Sequence, residues 1–170
     1  MCLEIPKKVT LEKEKRVYKV FYKNYWDEEM MKTPFCDEEV MVGETMTVDA
    51  EGPIYRDDYW SRPSIAGNAI HSYLNPRDAF SLATILAWRK RKAPADVLVC
   101  ECTIPTDSKY TYVGNSNIYG GEVGYASQKL KINKVVACMW VTGDIDDGEL
   151  KMVFYDKEIE KAYENKWRSV

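Results

Sequence analysis

The stretch DVLVCECTI (96–104) is apolar at nearly every position, so a strand there is buried on both faces and belongs inside a sheet. No other feature constrains the fold as strongly. RVYKVFYK (16–23) is rich in aromatic and β-branched residues and is also apolar on both faces. QKLKINKVVACMWVT (128–142) predicts a long strand, which the acidic turn DIDDGE joins to LKMVFY (150–155) as a hairpin. That turn resembles a calcium loop only superficially, because its glycine comes one position early and no helix pair flanks it. Glu101 is the exception in the first run. Among Val97, Val99 and Thr103 on its face, its carboxylate needs a partner or a cleft.

The sharpest local signal is Asn75-Pro76-Arg77-Asp78. Asn75 suits an N-cap, Pro76 the first helical position and Asp78 the positive end of the dipole. Ala79, Leu82, Ala83 and Leu86 follow at helical spacing, which predicts a helix over 76–92. The basic run RKRK (89–92) reads as its solvated carbonyl end rather than a nucleic-acid contact, and Pro94 stops any continuation. Asp156 caps a shorter helix over 157–167, with Ile159, Ala162, Tyr163 and Trp167 on one side.

These elements predict one α+β domain over 1–170, built on a mainly antiparallel sheet, split or continuous. Strands are expected near 16–23, 97–104, 129–141 and 150–155, with Val20, Leu82, Leu86, Leu98, Cys100, Ile104, Ile132, Val136 and Phe154 in the core. Residues 1–15 read as a loosely ordered terminus. Residues 24–62 read as an irregular, insertion-like segment in which EVMVGETMTV (39–48) forms a short strand or hairpin. The tyrosine- and glycine-rich stretch 105–127 reads as a long loop, a kind that is usually functional or mobile.

Composition excludes several classes. A length of 170 residues buries a core without staples, and 30% charged residues is ordinary for a globular chain. A net charge of −3 supplies no basic field for nucleic acid, and no apolar run approaches the roughly 20 residues that cross a bilayer. The opening MCLEIPKKVTLEKEKR carries charge where a signal peptide has its apolar stretch, so the expected compartment is the cytoplasm. The five cysteines include no C-x-x-C pair. Cys100 and Cys102 read as small buried hydrophobes, and no metal site is expected.

The candidate site centres on IHSY, just before the long helix. His71 is the only histidine and shares a face with Tyr73 if the piece is extended. Lys19 on the first strand, and Glu122 and Tyr125 in the glycine-rich loop 120–125, are the other candidate ligand-binding residues. Two roles are open to His71. It lies at the rim of a cleft with its ring partly exposed, or it is a structural pin whose nitrogens are met by backbone.

IHSYLNPRDAF, the strand ending CTIP, YASQKLKINKVV and the initial MCL together resemble a group of small uncharacterised proteins of phages and gut bacteria. The resemblance covers most of the chain and implies no established activity. More distantly, the layout is similar to the mono-ADP-ribosyltransferase fold. In that comparison Tyr18-Lys19 stands where the family places Arg or His followed by Gly, and Tyr73 stands for the middle residue. The late glutamate is missing from Tyr125-Ala126-Ser127-Gln128, with Glu122 a few residues early. The resemblance therefore implies an incomplete catalytic set.

Three functions follow as expectations. The first is a non-enzymatic domain of a phage or mobile element, without a cofactor, that binds a host protein or a small nucleotide-like ligand. Its candidate partner surface is residues 25–60. The second is an enzyme that uses NAD or modifies a nucleotide, with its cleft at His71, Tyr73 and Glu122. The third is an N-terminal-cysteine hydrolase in which loss of Met1 exposes Cys2, with the α-amine as base. Pro6 and Lys7-Lys8 argue against a buried strand there.

Overall fold

The computed structural model describes residues 3–24, 29–34, 38–49, 51–56, 64–89, 96–116, 122–143 and 148–167. In chain order the elements are β1 (Leu3–Lys8), β2 (Lys15–Lys23), β3 (Met30–Lys32), β4 (Glu39–Met41), β5 (Thr45–Thr47), β6 (Ile54–Arg56), β7 (Ser64–Gly67) and β8 (Ile70–Tyr73). They continue with α1 (Pro76–Arg89), β9 (Val97–Ile104), β10 (Thr111–Ser116), β11 (Glu122–Ser127), β12 (Lys129–Thr142), β13 (Glu149–Phe154) and α2 (Lys157–Trp167). The strands form one sheet in the order β13-β12-β9-β2-β8-β11-β10-β1-β7-β6, with β3, β4 and β5 attached at its margins.

The sheet must curl. β11 and β12 are joined through Gln128 alone, yet β8, β2 and β9 lie between them in the hydrogen-bonded order. The end of β11 can meet the start of β12 only if the intervening strands bend round. Inside the bend lies one apolar cluster that includes Val17, Phe21, Ile70, Leu98, Cys100, Ile104, Leu130 and Ile132. On the outer face a second cluster joins Tyr18, Val20, Tyr73, Val97, Val99 and Val136 to Leu82 and Leu86 of α1 and Ile159 of α2. Both faces of β9 are therefore covered, as its sequence requires.

The α+β expectation is corrected by the proportions. Among the described residues thirteen strands stand against two helices, so this is a sheet-dominated fold. The extra sheet comes from segments read as loop or loose terminus. β1 pairs with β10 and β7, β10 pairs with β11, and β4 and β5 pair with β3 and β12 rather than with each other. These strands are short or polar, and the ladders of β1 with β10 and β7 and of β5 with β12 are non-local, so alternation within the sequence barely marks them. The four strands and two helices expected from the sequence are present within a few residues, with 90–92 of the first helix outside the described residues. Phe154 is only partly buried against the outer cluster, because its strand ends the sheet.

The cap of α2 forms as the sequence implies. Asp156 Oδ1 accepts the backbone N–H of Glu158 at 3.0 Å and of Ile159 at 3.2 Å. At α1 the Asp78 N–H donates to the Asn75 carbonyl at 3.2 Å, and Pro76 takes the first turn.

Candidate ligand site around His71

The approach to His71 is set by Asn68. Its backbone is left-handed, with φ of 50°, a conformation that asparagine tolerates better than most residues. Its carbonyl accepts the Tyr110 hydroxyl and its side-chain amide donates to the Gly52 carbonyl, which fixes the turn from β7 into β8. β8 then pairs with β11 over its whole length, from Ile70↔Ser127 to Tyr73↔Gly124. Towards β2 it pairs only at Tyr73↔Tyr18. Beyond that pair the two strands part, and the Lys19 ammonium bridges them by donating to the His71 carbonyl at 2.9 Å.

Strand alternation distributes the candidates. Ile70 belongs to the inner cluster and Tyr73 to the outer one, so Ser72 points inward and His71 outward with Tyr73. Lys19 and Tyr125 lie on the inner side. Tyr125 faces Ser72 across the ladder and carries the Lys15 ammonium 5.8 Å above its ring. The structure thus brings Lys19 to the main chain of His71 and sets Tyr73 on the same face as His71, while Tyr125 lies across the sheet. Glu122 opens β11 opposite Ser116, and its side chain lies outside the described residues, as does Cys2.

The environment of His71 is unusual. The residue as a whole is partly exposed, yet Nδ1 and Nε2 are both buried and neither has a hydrogen-bond partner among the described residues. The Ser72 hydroxyl is in the same condition. Burial first, and the Lys19 charge second, push the imidazole pKa down to about 3. The ring is therefore neutral at pH 7 and offers one N–H donor and one acceptor. Ser72 escapes a reading based on the His71–Tyr73 face, since the same alternation that aligns those two hides it on the other side.

Glu101 contrasts with this. Its carboxylate is 3.9 Å from Arg16 Nη1 and 4.0 Å from Lys134 Nζ, and Lys134 also pairs with Asp156 at 2.5 Å. The Lys134 hydrogen bond holds the Asp156 carboxyl below its usual range, and the same contact raises Lys134. Cys100 and Cys102 are buried, and burial pushes the Cys102 thiol up to about 12. No group of three metal-ligating side chains occurs among the described residues.

Two surface cavities lie away from His71. A notch of about 130 Å³ separates the start of α1 from α2, beside Arg77, Phe80 and Tyr163. A groove of about 270 Å³ crosses β5, β9 and β12, lined by Thr45, Thr47, Thr103 and Lys131 among others. No helix among the described residues is long and apolar enough to cross a membrane. No family model, curated protein or solved structure matches this chain.

Proposed function

We propose that the chain is a cytoplasmic binding module without catalytic activity, whose ligand completes the hydrogen bonds of His71. The observation that carries this reading is the imidazole with two buried nitrogens and no partner among the described residues. Leaving such a group unsatisfied costs about 1–3 kcal/mol, so a ligand that supplies its partners gains that amount on binding. A neutral imidazole asks for one acceptor and one donor. The edge of a nucleobase or of a nicotinamide-type amide carries both, which favours a small nucleotide-like ligand over an ionic one.

The chemistry of the surroundings supports binding over turnover. A general base working near neutral pH needs a pKa near neutrality, and His71 lies far below it. The Cys100 and Cys102 thiols of β9 are buried and held protonated, which removes them as nucleophiles.

Thermal unfolding with adenosine, nicotinamide, NAD and ADP-ribose tests the reading, run on the wild type and on His71→Leu. At least one compound should stabilise the wild type, by about 2.7 kcal/mol at a hundred times its dissociation constant. The same compound should leave the variant unmoved. Shifts of equal size in both proteins, or in neither, would remove His71 from any such site. Consumption of NAD by the wild type would replace the binding module with an enzyme.

A further inference from the structure

The inner side of the sheet carries charge where β2, β8 and β11 adjoin. Alternation turns Val17 and Phe21 of β2 inward, so Lys15 and Lys19 share their side. On β8 the inward Ile70 and Leu74 flank Ser72, and Tyr125 of β11 stands opposite it. The inward positions of β2, β8, β9 and β11 therefore hold two lysines and no carboxylate. Lys15 has no carboxylate partner among the described residues, and its ammonium lies 5.8 Å from the centre of the Tyr125 ring. Ser72 is fully buried, and its hydroxyl has no hydrogen-bond partner among the described residues. The Lys19 ammonium is 2.9 Å from the His71 carbonyl oxygen, and covalent geometry keeps Ser72 Oγ within about 5 Å of that same oxygen. The two donors thus stand round one point. Burial raises the Cys102 thiol on this side of the sheet, and the Lys19 charge partly opposes it.

We propose that this corner of the inner face binds a phosphate group, with Ser72 and Lys19 as direct donors and Lys15 supplying a second positive charge. A buried hydroxyl beside uncompensated positive charge calls for an acceptor that is itself negative, since charge-assisted hydrogen bonds are the strong ones. A phosphate monoester carries about −1.5 to −2 charges at pH 7, which matches two ammonium groups. Its tetrahedral oxygens accept donors that arrive from two different strands. A neutral acceptor would satisfy Ser72 and leave the charge of Lys15 unmet, and a carboxylate brings one charge and a planar pair of oxygens. Both lysines are partly exposed, so the charged end of the corner opens to solvent while Ser72 forms its floor. The His71 ring lies on the opposite face of β8, so this subsite does not depend on the ligand proposed there.

Titration of the full chain with inorganic phosphate tests it, followed by backbone amide NMR at an ionic strength held constant with sodium chloride. The wild type should bind saturably, with the largest shift changes at Lys19, Ser72 and Tyr125. Ser72→Ala removes one hydroxyl and should weaken binding about tenfold. Lys15→Gln, at a partly exposed position, should weaken it about threefold or more. His71→Leu alters the opposite face and should bind phosphate as the wild type does, which separates this subsite from the ligand site at the ring. Acetate should bind more weakly than phosphate. A wild type without saturable phosphate binding would overturn the proposal. So would Ser72→Ala and Lys15→Gln variants that bind phosphate as well as the wild type, or acetate held as tightly as phosphate.

Discussion

Glu101 and His71 are both polar side chains set in strands whose neighbours are apolar, and they are treated differently. Glu101 sits between Arg16 and Lys134 from the flanking strands, and Lys134 extends the chain of charges to Asp156, the cap of α2. Every member of that network has a partner, and the network ties the outer face of the sheet to a helix. His71 has its carbonyl held by Lys19, but its ring nitrogens have no partner among the described residues. One buried polar group is finished by the fold. The other has no ring partner among the described residues, which is what the proposed ligand would supply.

The scaffold half of this contrast carries the largest expected effect. Leu86 of α1 is 3% exposed, in the cluster that also holds Val99 and Val136. Leu86→Ala should cost about 2–5 kcal/mol in denaturant unfolding, through lost transfer energy and the cavity left behind. A loss under about 1 kcal/mol would mean that α1 does not seal the sheet.

Acid sharpens the difference between the two regions. The folded-state pKa of His71, about 3, lies below the unfolded value near 6.5, so between these values the unfolded chain binds the extra proton. Stability should therefore fall as the pH falls through this window, by up to about 2.5 kcal/mol between pH 6 and pH 4. The measurement is wild type against His71→Leu, in which this share of the loss should vanish. Equal acid sensitivity in both would show that the imidazole titrates normally. Asp156, whose carboxyl is lowered, acts at a more acidic range, and its contribution persists until the pH drops below the ordinary carboxylate value.

Asp156→Ala should cost about 1 kcal/mol, since it removes both the cap and the Lys134 pair. Asp156→Asn keeps a capping oxygen and loses the charge, so most of the stability should remain. If the two variants lose equally, the ion pair rather than the cap holds α2 in place.

Much of the scaffold was legible in the sequence, because it is written in long periodic runs and explicit caps. DVLVCECTI had to be central, and Asn75-Pro76 and Asp156 marked helix starts within a residue. The need of Glu101 for partners was visible from its apolar neighbours, although Arg16 and Lys134 could not be named before the strand order was known. The short strands β1, β10 and β11 were not legible. β10 and β11 pair with each other, but the ladders that set them in the sheet run to the distant β1 and β8, and the glycines and tyrosines of 111–125 look like loop when read alone. For the site, the sequence pointed to His71 and Tyr73 through strand alternation and to Lys19 on the first strand. It could not show that Lys19 reaches the carbonyl and not the ring, because that depends on where β2 and β8 part company.

If the His71 ring serves a ligand and not the fold, removing it should not destabilise the ligand-free protein. The stability of the ligand-free His71→Leu variant at pH 7, by denaturant unfolding, addresses it most directly. Leucine fills the site without two unsatisfied nitrogens, so the variant should be about 1 kcal/mol more stable than the wild type while losing the ligand-induced shift. A loss of stability above about 2 kcal/mol would contradict the account and make His71 a structural pin.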